Sequence, residues 1–223
     1  MPKDLRPAVL FVHASAVSLA ATQRGLERLV NPPVVRNALE TALVDPHAMR
    51  FAQDEAGYAR LRAAVVPHLH DGAEHVILSC SVYNGYAERL ETELGLPVQR
   101  SDEAGARSAI DLGLRIGLAV SYPPSYQIIE GYLLRLAAER RLRTELVPLL
   151  AENAFAFADD AERYGQVLTE AARRARETES VDALFLAQFS MDPYLEPVAR
   201  AAQLPVVSAL TACLQSISSL ADR

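Results

Sequence analysis

The chain is written twice at a constant offset, and that repeat limits its fold more than any other feature. Ala8 to His13 (Ala-Val-Leu-Phe-Val-His) falls on Ile116 to Ser121 (Ile-Gly-Leu-Ala-Val-Ser), and 116 − 8 = 108. Val76 to Cys80 falls on Leu184 to Gln188 at the same 108, and so does Leu96-Pro97-Val98 on Leu204-Pro205-Val206. Tyr86 and Glu88 meet Tyr194 and Glu196 in the same register. Three blocks that agree without a slip describe two related halves, with Cys80 and Gln188 at equivalent positions facing each other across a shared cleft.

Within each half, short apolar runs alternate with longer amphipathic stretches, the pattern of βαβ units and mainly parallel sheets. Strands are expected at 8–13, 34–38, 75–80 and 98–101, then at 115–121, 144–149, 183–188 and 206–208. Helices are expected at 19–29, 55–68, 83–94 and 104–112, then at 126–140, 161–176, 193–202 and 209–220. The fold class is therefore α/β, with two pseudo-symmetric Rossmann-like (flavodoxin-like) lobes of mainly parallel sheet and a cleft between them. The first lobe is read as 1–113 with the 209–223 helix packing back onto it, and the second as 114–208. The junction near Gly113 to Arg115 has no Pro, Ser or Gly tract, so the lobes should pack closely.

Composition removes several kinds of function. A formal charge of −6 over 223 residues, with the arginines scattered, gives no footprint for nucleic acid. No apolar run approaches the roughly 20 residues that span a bilayer, and the N-terminus leads directly into a strand-like segment. A cytoplasmic protein without membrane contact is expected. Lys3 is the chain's one lysine, so no internal lysine could form the imine of a pyridoxal-phosphate enzyme or a Schiff-base aldolase. No Gly-x-Ser-x-Gly elbow occurs, and Ala14-Ser15-Ala16-Val17 stands where a dinucleotide-binding chain would carry Gly-x-Gly-x-x-Gly. His68, His70, Asp71 and His75 have metal-like spacing, but they belong to the opposite end of the sheet from Cys80 and read as a solvated loop. No metal or cofactor is expected.

Ligands of open parallel sheets bind beyond the carboxyl ends of the strands. Cys80 ends such a strand and precedes Ser81-Val82-Tyr83-Asn84-Gly85, where a helix start would favour thiolate at neutral pH. Ser81 and Asn84 could hold a carboxylate beside it. In the second half Gln188 leads into Phe189-Ser190-Met191-Asp192, and its amide could hold a carboxylate or an enolate oxygen. The first strands of the halves end in His13 with Ser15 and in Ser121 with Tyr122, which the repeat brings to the same cleft. Cys213, in an apolar helical stretch, reads as a buried inert thiol.

On these residues the whole chain resembles the aspartate/glutamate racemase superfamily. Cys80-Ser81-Val82-Tyr83-Asn84 is similar to the family's first cysteine motif. Ile77-Leu78-Ser79-Cys80-Ser81, Arg115 to Leu118 followed by Ser121-Tyr122-Pro123-Pro124, and Leu186 to Met191 look like a poorly characterised branch of it. The resemblance implies a cofactor-independent isomerase, a homodimer, with a small carboxylate substrate (an amino acid or dicarboxylate). It makes Cys80 and Gln188 the catalytic positions, with His13, Ser15, Ser81, Asn84, Ser121, Tyr122, Phe189, Ser190 and Met191 around the substrate. The chain departs from the family at Gln188, where a second cysteine is expected.

A glutamine cannot carry a proton, so racemisation would need another carrier opposite Cys80, and His13, Ser190, Asp192 and Tyr122 are the candidates. A single-cysteine decarboxylase or lyase of a malonate-type acid needs no second carrier. A carboxylate-binding protein that has lost catalysis needs none either.

Overall fold

The computed structural model describes residues 8–43, 53–70, 72–150, 154 and 160–221. Strands β1 (Ala8–His13), β2 (Val34–Leu39), β3 (His75–Leu78) and β4 (Val98–Arg100) form one parallel sheet in the order β2-β1-β3-β4. β5 (Arg115–Val120), β6 (Glu145–Leu150), β7 (Ala183–Leu186) and β8 (Val206–Ser208) repeat that order as β6-β5-β7-β8. The helices between them are α1 (Ala16–Leu26), α2 (Glu55–Leu69), α3 (Ala87–Leu94), α4 (Glu103–Ile110), α5 (Tyr126–Glu139), α6 (Ala161–Arg174), α7 (Leu195–Ala202) and α8 (Ala209–Ala221). The central strands are unbroken apolar runs from Ala8 to Val12 and from Ile116 to Val120, because helices cover both faces of each sheet and leave no solvent side for alternating polar residues.

The 108-residue offset holds for β3 and β7 (183 − 75), α3 and α7 (195 − 87) and β4 and β8 (206 − 98). It slips to 111 between β2 and β6 (145 − 34): the turn Pro123–Ser125 sets α5 110 residues after α1 (126 − 16), and the extra length of α5 is partly taken back by a shorter connection to β6. The repeat is thus exact around Cys80 and Gln188 and loose in the first crossover.

One core runs through both lobes. Val9, Phe11 and Ile77 of the first sheet share it with Ile116, Leu118 and Phe185 of the second, and α4 and α8 fill the space between. Gly105 of α4 lies so close to the second sheet that a Cβ there would stand 2.5 Å from Phe185 Cε2 and 3.0 Å from Ala209 Cα. From α8, Cys213 and Ser216 meet Gln99 of β4, whose Nε2 donates to the Cys213 sulfur at 3.7 Å and to Ser216 Oγ at 3.2 Å. Cys213 is fully buried, which pushes its thiol up and leaves it unreactive.

Three helices begin differently from the sequence expectation. Residues 81–86 and 189–194 are 3-10 turns that precede α3 and α7, closed by Tyr83 N–H to the Cys80 carbonyl and Met191 N–H to the Gln188 carbonyl, each at 3.0 Å. The i to i+3 bond tightens the chain as it leaves the strand. α1 starts three residues earlier than expected, because the Ser15 hydroxyl caps it by accepting from Ser18 N–H at 3.2 Å. Among the described residues no helix is long and apolar enough to cross a membrane.

Candidate active site

A cavity of about 340 Å³ opens where the carboxyl ends of the two sheets meet. Both strand-tip residues singled out by the repeat line it. Cys80 enters from the first lobe and Gln188 from the second, each the residue before its 3-10 turn and each half-buried. Ser15, Ser81, Ser121, Tyr122, Phe189 and Ser190 also reach the cavity. Ser18, Thr41, Ser79 and Ser125 join them, and these the sequence reading missed. Ser79 carried the available signal, since it sits beside Cys80 at the same strand tip. Ser18, one turn into α1, carried none.

Three expected residues do not line the cavity. His13 is fully buried behind it, its Nδ1 2.8 Å from Ser79 Oγ and its Nε2 2.9 Å from Asn37 Oδ1. Asn84 turns inward instead of toward a ligand. Its Oδ1 accepts from Ser101 N–H at 3.1 Å and its Nδ2 donates to Ser101 Oγ at 3.0 Å, tying the 3-10 turn to the end of β4. Met191 is wholly buried in the apolar core of the second lobe.

Asp192 stands where the repeat places Asn84 (192 − 84 = 108) and does the same work, accepting from Ser208 Oγ and Thr211 Oγ1 at 2.5 and 2.7 Å. Arg28 of the first lobe pairs with it at 2.6 Å. Asp192 is therefore a clamp at the end of β8 and not a proton carrier in the cavity.

The side of the cleft formed by the second lobe is organised around Gln188. Its Oε1 accepts from both Ser121 N–H (2.7 Å) and Ser121 Oγ (2.9 Å), which turns Nε2 toward Ser81 Oγ of the first lobe at 3.4 Å. Ser81 Oγ in turn donates to Ser125 Oγ at 2.7 Å, so the hydroxyl of one lobe is held between two groups of the other. Behind Ser121 and Ser190 lies the buried Tyr164, its hydroxyl 3.1 and 3.3 Å from their oxygens.

Cys80 departs from the sequence expectation of a thiolate. Backbone N–H groups of Val82 and Tyr83 aim at the sulfur and lower its pKa, but loss of water outweighs them and pushes the thiol up to about 12. The physical reason is burial: the apolar core of the first lobe packs against the residue and takes from the thiolate the water it would need. At neutral pH Cys80 is therefore the thiol.

No charged side chain occurs among the described residues that line the cavity. Negative charge there would be met by hydroxyls, by Gln188 Nε2, and by the backbone N–H groups where α1 begins at Ala16. Among the described residues no group of three or more His, Cys, Asp or Glu is placed to hold a metal ion. Asp71, one of the four residues with metal-like spacing, lies outside the described residues.

No protein-family model matches the chain. Hydantoin racemase of Paenarthrobacter aurescens is 34% identical to it over 112 residues, 49% of this chain and 47% of that protein. The chain thus matches about half the length of that relative. Glutamate racemase RacE1 from Bacillus anthracis superposes with a TM-score of 0.74 at 14% identity, covering 96% of this chain and 81% of that one. Allantoin racemase from Klebsiella pneumoniae superposes with a TM-score of 0.68 at 17% identity, covering 96% and 87%. The fold is that of these two-lobed racemases.

Proposed function

We propose that this chain, which has the two-lobed fold of the aspartate/glutamate racemase superfamily, is a cofactor-independent racemase or isomerase of a small molecule. In this reading Cys80 moves a proton at a carbon next to a carbonyl or carboxylate. The supporting observation is that Cys80 and Gln188, equivalent in the repeat, line one cavity from opposite lobes.

Such a carbon is a weak acid, so its deprotonation needs a strong base and donors for the enolate-like oxygen that develops. A desolvated thiolate is that base. The environment that pushes Cys80 up to about 12 makes the thiolate scarce, but raises its affinity for a proton once formed. Gln188 Nε2 and Ser15 with the start of α1 are the donors on hand.

The neutral lining bears on substrate class. A dicarboxylate with an ammonium group would meet no counter-charge among the described lining residues, whereas an uncharged or singly charged ring flanked by amide groups suits hydroxyls and one carboxamide. A hydantoin-type ring is therefore our first choice and an amino acid the second.

A single-cysteine decarboxylase or lyase is the alternative, favoured by one observation. Gln188 cannot titrate, and Ser121 already occupies its carbonyl oxygen.

The test is incubation in deuterium oxide with L-5-benzylhydantoin, L-glutamate, L-aspartate and phenylmalonate, followed by proton NMR and chiral chromatography. Racemisation puts deuterium at the α-carbon of both enantiomers, and decarboxylation gives a product labelled on one face. Turnover of any of these that persists unchanged in Cys80→Ala would remove the mechanism.

A further inference from the structure

The cleft holds a second reactive constellation that the proposed chemistry of Cys80 does not use. Asn37, His13 and Ser79 stand in line. Asn37 Oδ1 is 2.9 Å from His13 Nε2, and His13 Nδ1 is 2.8 Å from Ser79 Oγ. An amide oxygen only accepts, so Nε2 carries the ring proton and Nδ1 presents a lone pair to the Ser79 hydroxyl. Burial lowers the His13 pKa, which keeps the ring in the neutral form a general base requires. The ring is held flat against Phe11, with centroids 6.0 Å apart and planes 9° from parallel.

Ser79 lines the cavity at the tip of β3, beside Ser18 Oγ at 3.3 Å, and the start of α1 opens on the same space at Ala16. Nucleophile, base and orienting group are thus joined by hydrogen bonds, with backbone N–H groups nearby for an oxyanion. The repeat does not require this arrangement. The counterparts of His13 and Ser79 in the second half are Ser121 (13 + 108) and Ala187 (79 + 108).

We propose that Ser79 is an oxygen nucleophile, with His13 as its base and Asn37 as a positioning residue, and that the cleft carries an acyl-transfer activity toward small uncharged carboxylic esters. The inference does not rest on Cys80. Ser79 Oγ attacks the acyl carbon as its proton passes to His13 Nδ1, and the departing alkoxide takes that proton and leaves as the alcohol. Water then attacks the acyl-Ser79 ester and gives a proton to Nδ1, which returns it to Oγ as the carboxylic acid is released. The Val12 carbonyl, 2.9 Å from Ser79 Oγ, competes for the hydroxyl proton in the resting state. Asn37, Ser18 and Ser79, which hydrogen bond to the ring, are all uncharged.

Diisopropyl fluorophosphate is the probe, because its reaction with an activated serine forms an O–P bond, expels fluoride and moves the hydroxyl proton to the base. Peptide mapping should find the adduct on Ser79 in the native protein and in Cys80→Ala. His13→Gln should slow labelling about a hundredfold or more. Labelling should also fall as pH drops through a value below 6.5, where the ring becomes protonated. His13 is buried, so Asn37→Ala, at an exposed position, is the second variant and should slow labelling while the protein stays folded by circular dichroism. No adduct on Ser79, labelling of Cys80 in its place, or a Ser79 adduct whose rate and pH profile ignore Asn37→Ala would overturn the proposal.

Discussion

Ser121 gives both its backbone N–H and its hydroxyl to a single atom, Gln188 Oε1, at 2.7 and 2.9 Å. This fixes the carboxamide with nitrogen toward the first lobe, so the residue opposite Cys80 is a donor in a set orientation. It can steady a developing negative charge but cannot take a proton. The consequences for catalysis, reactivity and stability can each be measured.

Replacing Cys80 by Ala should reduce exchange of the substrate α-proton by about a hundredfold or more, with little loss of stability because the residue is half-buried at a cavity wall. Proton NMR in deuterium oxide reads the exchange, and a thermal melt reads the fold.

Cys80 should be a slow thiol. With its pKa pushed to about 12, alkylation by iodoacetamide at neutral pH should be sluggish and climb roughly tenfold per pH unit through the mildly alkaline range. A rate that levels off below the ordinary thiol pKa would contradict the dominance of desolvation.

Truncating Gln188 to Ala should leave the two Ser121 donors without their acceptor. The cost should be about 1–3 kcal/mol, toward the lower end because the cavity admits water. The melting temperature should fall by a few degrees, and kcat should fall more than Km rises, because Nε2 serves the charge that develops in the transition state.

Acid should weaken the fold through His13 and His75. Burial lowers the pKa of both His13 and His75 below 6.5, so the unfolded chain takes up protons more readily than the folded one. Their contribution is complete above 6.5 and is lost as pH falls through the depressed values. Melting temperatures should drop across that window, and less steeply in a folded His75→Gln variant.

Two glycines separate close packing from backbone freedom. Gly105→Ala drives a methyl group into Phe185 and should destabilise by about 1–3 kcal/mol. Gly131→Ala, in the exposed middle of α5 with nothing within 4 Å of the new carbon, should stabilise by up to about 1 kcal/mol. Paired melts check both.

The strand tips were legible because a parallel strand buried on both faces leaves a continuous apolar run, and the first polar residue after it marks the carboxyl end. Gln188 and Ser121 follow that rule, as do Ser79 and His13, with Cys80 next to Ser79 and Ser15 two residues beyond His13. The 108-residue repeat then assigned them to one cleft, since similar halves place similar tips alike.

What sequence alone determined here is an alternation of strands and helices and a set of strand ends, because these follow from the period of apolar residues along the chain. Only the tertiary structure decided which way each polar residue turned. His13 ends its strand as Ser121 follows its own, and Asn84 lies in the turn beyond Cys80, yet His13 is taken by Asn37 and Ser79, and Asn84 by Ser101. The protonation of Cys80 was also decided there: the charge on a sulfur depends on how much water the surrounding lobes leave it, and desolvation is a property of neighbours distant in sequence.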